Sequence, residues 1–184
     1  SSLCDHHLSY MNAGKTNTTD NLLLEVCMSA QYEGQSIRGQ HDKHKLDNNN
    51  SPYQLCTVLA RSFADIGDIV RGKDLFLGNT YESAQRDKLD EKLKDIFKQI
   101  HNGLDGEAKK KYQDEKDRNY YQLREDWWNA NRETVWEAIT CGAGTSAQYF
   151  RPTCVSGEWA KDKCRCPKGD QVPTYFDYVP QYLR

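Results

Sequence analysis

The sequence predicts an all-α fold, a disulfide-stapled helical bundle with long loops. Apolar residues recur at three- and four-residue steps in several segments, and no segment shows the period of two that a half-buried strand requires. The mean hydropathy of -0.91 indicates a thin hydrophobic core. Seven cysteines in a polar chain of 184 residues suggest that disulfides compensate for that core, which points to an oxidising, extracellular environment.

A first helix is predicted to begin after Asp20, a suitable N-cap, and to end at Gly34. Apolar residues cover most of its surface, so we expect it to be well buried; they are Leu22, Leu23, Leu24, Val26, Cys27, Met28 and Ala30. Residues 35–51 have no hydrophobic period and include an asparagine run before Pro52, which predicts a loop.

Two further helices follow, each with one apolar stripe. The second runs from Pro52 to Gly72, and its stripe consists of Leu55, Leu59, Phe63, Ile66 and Val70. The third begins at an Asn79 cap and stops at Asn102-Gly103, and its stripe consists of Leu89, Leu93, Ile96 and Ile100. The charged residues 105–119 predict a weak helix or an exposed connection.

The segment from residue 121 to residue 141 is predicted to be the central helix, because its three tryptophans can bury ~150 to 250 Å² each. Two adjacent faces are predicted: one holds Leu123, Trp127, Ala130, Thr134, Ala138 and Cys141, and the other holds Trp128, Val135 and Ile139. After Cys141 the sequence has no period, and Cys154, Cys164 and Cys166 predict a stretch that crosslinks must order. The cysteine count is odd, and both chain ends read as cuts from a longer protein, which would supply a partner for one cysteine.

Composition and motifs exclude several classes of function. The net charge of -2 gives no general attraction to nucleic acid, and no apolar stretch is long enough to span a membrane. No nucleophile turn or cofactor motif predicts catalysis. The pair Cys164 and Cys166 is too closely spaced for a typical zinc site, and His41 with His44 lies in a polar segment. We therefore expect a binding module rather than an enzyme, with no cofactor and no metal.

Four blocks of sequence resemble the alpha-type Duffy-binding-like domain of Plasmodium falciparum erythrocyte membrane protein 1, a variant surface adhesin. They are residues 56–72, 75–78, 124–132 and 173–178, which read CTVLARSFADIGDIVRG, LFLG, REDWWNANR and PTYFDY. The resemblance implies a helical module of three subdomains. Residues 1–50 would be the end of the first subdomain and residues 51–184 the helical-bundle second, with the third absent.

The resemblance also implies a disulfide pattern. Cys56 would pair with Cys154, and Cys4 with a cysteine outside this chain. Cys27, Cys141, Cys164 and Cys166 would form two further bonds of unassigned connectivity.

The function that the resemblance implies is adhesion at the surface of the infected erythrocyte. The expected partners are host receptors or glycans, namely complement receptor one, heparan sulfate or blood-group sugars, together with host antibodies. Candidate contact residues are the basic ones: Lys88, Lys92, Lys98, Lys109, Lys110, Lys111, Lys116 and Arg118. A solvated helix face is the alternative, because residues 86–118 hold ten basic and nine acidic residues. The fragment could also be a structural and antigenic scaffold whose neighbours contact the receptor.

Overall fold

A computed structural model of the chain describes residues 19–47, 53–73, 80–113, 119–143, 163–166 and 172–184. These residues form five α-helices and two 3-10 turns and contain no β-strand, which confirms the all-α prediction. The helices are α1 (Thr19–Asp47), α2 (Tyr53–Arg71), α3 (Thr80–Asn102), α4 (Gly106–Lys111) and α5 (Tyr121–Thr140). The turns are Phe176–Tyr178 and Gln181–Leu183. None of these helices is long and apolar enough to cross a membrane.

The predicted stripes of α2 and α3 are buried, and Phe97 joins that of α3. Helix α2 ends where predicted, before Gly72, whose φ of 72° is the left-handed conformation that glycine adopts at helix ends. The predicted Asn79 cap lies outside the described residues. Helix α4 is short, and its N-cap Asp105 accepts a hydrogen bond of 2.8 Å from the backbone N–H of Ala108.

Helix α1 is longer than predicted. It passes through Gly34 and Gly39 and ends only at Asp47, so the loop prediction was wrong for residues 35–47. Gly34 is a contact point with α5 rather than a helix stop, since a Cβ there would overlap the carbonyl oxygen of Ile139. The prediction of nearly complete burial was also too broad, because Leu24 and Met28 are exposed.

Helix α5 is central, as predicted, and packs against α1, α2 and α3. Its predicted buried face was partly wrong, because Ala130, Thr134 and Cys141 are exposed. The buried residues occur instead as adjacent pairs spaced by about one or two turns: Leu123 and Arg124, Trp127 and Trp128, Val135 and Trp136, Ile139 and Thr140. The adjacent predicted face of Trp128, Val135 and Ile139 is buried, because a central helix with neighbours on several sides buries a wide surface.

The disulfide pairing predicted for Cys56 was wrong. Cys56 in α2 is bonded to Cys164, with 5.6 Å between their Cα atoms, and not to Cys154. The prediction of two further bonds among Cys27, Cys141, Cys164 and Cys166 was also wrong. Cys164 is bonded to Cys56, and Cys27 and Cys141 are free thiols, although Cys166 is disulfide-bonded. The Cys56–Cys164 bond fastens the cysteine-rich segment to α2 beside α5, where the Trp136 indole N–H donates a 3.1 Å hydrogen bond to the Cys164 carbonyl oxygen.

Candidate functional site

A fully buried arginine, Arg124, joins three helices. Its Nε donates a 2.7 Å hydrogen bond to the carbonyl oxygen of Val70, and its Nη2 donates one of 2.8 Å to Asp90 Oδ1 in α3. The same Nη2 lies 3.2 Å from the carbonyl oxygen of Ile69. The last carbonyls of a helix have no partner within the helix, so Arg124 of α5 caps α2 and links it to α3.

The segment 172–184 is held to the bundle by Asp177, which is buried. Its carboxylate accepts hydrogen bonds from Arg132 Nε at 2.7 Å, Arg132 Nη2 at 2.8 Å and the Trp128 indole N–H at 2.9 Å. Arg132 also donates to the carbonyl oxygen of Thr174 at 2.8 Å. A bidentate arginine–carboxylate pair of this kind fixes the relative orientation of the two side chains as well as pairing their charges. The segment is therefore latched onto α5.

A second cluster of charges lies at the end of α2. Arg71 is buried, pairs with Asp68 at 3.2 Å and donates to the carbonyl oxygen of Asp177. Asp68 also pairs with Arg184. Beside the cluster lies a cavity of about 550 Å³, lined by Asp68, Lys73, Asp177 and residues 178–182. Its two aspartates pair with arginines, and Lys73 lies 2.7 Å from Glu125, so these three charged side chains of the lining all have partners.

These buried pairs explain the sequence blocks on which the resemblance rests. Asp68 and Arg71 lie in the first block, Arg124 and Arg132 in the third and Asp177 in the fourth. Sequence analysis did not identify them as buried, although charged residues set among tryptophans and tyrosines were a usable signal. The described residues of these blocks that form ion pairs or contribute tryptophans belong to the scaffold.

The basic residues predicted on α3 line its outer side. Lys88 and Lys98 are exposed, and Lys92 is half-buried. Their neighbour Lys94 is paired within the helix, at 3.1 Å from Glu91 and 3.4 Å from Asp90. Among the described residues, Lys88 and Lys98 make no ion pair within 4.0 Å.

The basic residues predicted on α4 are partly neutralised. Lys110 lies 3.9 Å from Glu107, and Lys111 lies 3.3 Å from Asp126 in α5. Hydrogen bonding, first from the Tyr112 hydroxyl at 2.7 Å and then from Lys111, holds the pKa of Asp126 below its usual range. Lys109 is half-buried, and Lys116 and Arg118 lie outside the described residues. The surface on α3 and α4 is therefore mixed in charge, with a few cations available to a partner.

The family model described as the Duffy binding domain matches residues 1–184. The chain belongs to the Duffy-binding family. It is similar to the crystal structure of the NTS-DBL1(alpha-1) domain of the Plasmodium falciparum membrane protein 1 (PfEMP1) from the varO strain, with 44% identity and a TM-score of 0.81. That match covers 98% of this chain and 39% of the solved chain. No curated protein matches.

Two other Duffy-binding-like domains of PfEMP1 that are similar to the chain were solved with a host protein. A DBLβ domain bound to human ICAM-1 is 28% identical with a TM-score of 0.62, over 89% of this chain and 30% of that one. A second DBLβ domain bound to ICAM-1 is also 28% identical, with a TM-score of 0.66, over 96% of this chain and 39% of that one. Family and fold are those of adhesin domains, which confirms the resemblance seen in the sequence.

Proposed function

We propose that the chain is a host-cell adhesion module of a parasite variant surface antigen, displayed on the outer face of the infected erythrocyte. The observation that supports this most directly is its membership of a family whose solved DBLβ members are bound to ICAM-1. The proposed partners are an erythrocyte or endothelial receptor, such as complement receptor one, or a glycan such as heparan sulfate or a blood-group sugar. Host antibodies would bind the same exposed surfaces.

The contact surface we propose is the outer side of α3 together with α4, which we call the lysine face: Lys88, Lys92, Lys98, Lys109, Lys110 and Lys111. Sulfated glycans are polyanions, and exposed lysines attract them by a salt-screened electrostatic interaction. Lys88 and Lys98 are the strongest candidate contacts, because no ion pair within the described part of the chain neutralises them. The net charge of -2 means that any such attraction is local.

The test is a double charge reversal, Lys88→Glu with Lys98→Glu, in the full chain. Binding to immobilised heparin and to erythrocytes would be measured over a range of salt concentrations. We expect at least a tenfold loss at low salt and a shallower salt dependence, since two cations become two anions. The matched control is Lys43→Glu with Arg61→Glu, which reverses two exposed charges on α1 and α2. Equal binding by both variants would exclude the lysine face.

A second candidate function is a structural and antigenic scaffold, with receptor contacts made by neighbouring parts of the parent protein. Two observations favour it: most of the described residues of the sequence blocks are buried, and the chain spans 39% of the solved DBL1α chain that it matches. The test compares the chain with a longer segment of the parent that contains it. If the chain folds but only the longer segment binds receptor or glycan, the scaffold function is correct.

A further inference from the structure

Helix α4 carries Lys109 and Lys110 of the lysine face but contributes little to its own placement. It has six residues, none of them buried, and an isolated helix this short is not stable in water. Its cap at Asp105 is local and does not attach it to the bundle. The side chains that flank it, Leu104 and Tyr112, are partly buried and pack against the hydrophobic core. The orientation of α4 on the bundle therefore depends on contacts made at its ends.

Asp126 of α5 makes the contact at the C-terminal end of α4. Its Oδ2 accepts a 2.7 Å hydrogen bond from the Tyr112 hydroxyl and lies 3.3 Å from Lys111 Nζ, while its Oδ1 accepts a 2.9 Å hydrogen bond from Gln122 in α5. The Lys111 ammonium also lies 5.5 Å from the centroid of the Tyr112 ring. Burial, and then the hydrogen bond to Asp126, raises the pKa of Tyr112, so its hydroxyl stays protonated and donates. One carboxylate of α5 thus holds two consecutive residues at the end of α4.

We propose that Asp126 is a positioning residue that fixes α4 on α5 and so sets the direction in which Lys109 and Lys110 are presented to an anionic partner. The partner in this inference rests on the proposed function, whereas the positioning of α4 does not. A helix that is already fixed presents its cations without an ordering cost. A loose helix must lose conformational entropy when it binds, which weakens the complex.

The first test is amide hydrogen exchange in α4, followed by NMR in the full chain. The amides of Lys109 and Tyr112 report on α4, because they donate to the carbonyl oxygens of Asp105 and Lys109. We expect Tyr112→Phe and Asp126→Ala each to speed their exchange about tenfold, as for the loss of a hydrogen bond to a charged group. Exchange in α3 and α5 should not change. Asp126→Glu keeps the carboxylate and should recover part of the protection.

The matched control for the exchange test is Glu133→Ala. It removes the same charge from an exposed position two turns further along α5 and should leave exchange in α4 unchanged. The proposal is overturned if either Tyr112→Phe or Asp126→Ala leaves the exchange of α4 unchanged, or if the increase spreads over α3 and α5. Amides of α4 that are unprotected in the unmodified chain would overturn it as well.

The second test measures binding of the same variants to immobilised heparin. Tyr112→Phe leaves every charge in place, so it should weaken binding about two- to fivefold with an unchanged salt dependence. Unchanged binding by a variant whose α4 exchanges faster would overturn the role of Asp126 in recognition. If the unmodified chain does not bind heparin, the proposed contact surface fails, whereas the exchange test still decides whether Asp126 positions α4.

Discussion

Replacing Arg124 by methionine tests whether this residue caps α2. The substitution keeps an unbranched side chain of similar length but removes every donor. The Val70 carbonyl then loses its partner, at a cost of about 1–3 kcal/mol for a buried polar group. Losing the hydrogen bond to the Ile69 carbonyl costs less, because this carbonyl still accepts a hydrogen bond from the Gly72 N–H at 3.2 Å. Asp90 is about one-third exposed, so its ion pair contributes at most about 1 kcal/mol.

We therefore expect Arg124→Met to lower the free energy of unfolding by about 2–4 kcal/mol. The measurement is urea unfolding followed by circular dichroism, with disulfides intact. Arg124→Lys should recover part of the loss, since it keeps the charge but not the planar fork that reaches α2 and α3 together. The control is Arg61→Met on the exposed side of α2, expected to stay within about 0.5 kcal/mol. A loss below about 1 kcal/mol for Arg124→Met would refute the capping role.

Three further changes test the packing. Gly34→Ala should destabilise the protein by about 1–3 kcal/mol in thermal or urea unfolding, because a Cβ forces α1 and α5 apart; Gly39→Ala in the same helix meets nothing within 4 Å and should stabilise by up to about 1 kcal/mol. Trp127→Ala should lower the free energy of unfolding by about 3–5 kcal/mol and reduce adhesion only in proportion to the unfolded fraction. Selective loss of binding by a stable variant would instead make Trp127 a receptor contact. Replacing Cys56 and Cys164 together by serine should lower the free energy of unfolding by about 2–5 kcal/mol, measured by urea unfolding without reductant. An unchanged urea midpoint would contradict the Cys56–Cys164 bond.

Sequence analysis predicted those elements whose signal is local. The stripe of α2 and its stop at Gly72 depend on spacing and on the conformation of one glycine, and both were confirmed. Gly34 could not be interpreted from α1 alone, because a glycine permits a helix end and also permits a close helix contact. Only the position of Ile139 in α5 distinguishes the two cases.

Buried charges and cysteine pairs were harder to predict for the same reason. Arg124 and Asp177 are of residue types that usually lie at the surface, and their burial depends on partners far away in the sequence. The pairing of Cys56 with Cys164 likewise depends on how the cysteine-rich segment packs against α2. No spacing rule within the sequence contains that information.

Buried and exposed charges of this protein differ in how far their replacement should lower its stability. Replacing the buried Asp177 would leave the largely buried Arg132 without its counter-charge, a loss of about 3–5 kcal/mol that a marginally stable domain cannot easily absorb. Replacing the exposed Lys88 or Lys98 should change stability by no more than about 0.5 kcal/mol. The lysine face can therefore vary in charge while the latched bundle stays constant. Under the proposed adhesion function, exposed charges of this kind can change without altering the scaffold that presents them.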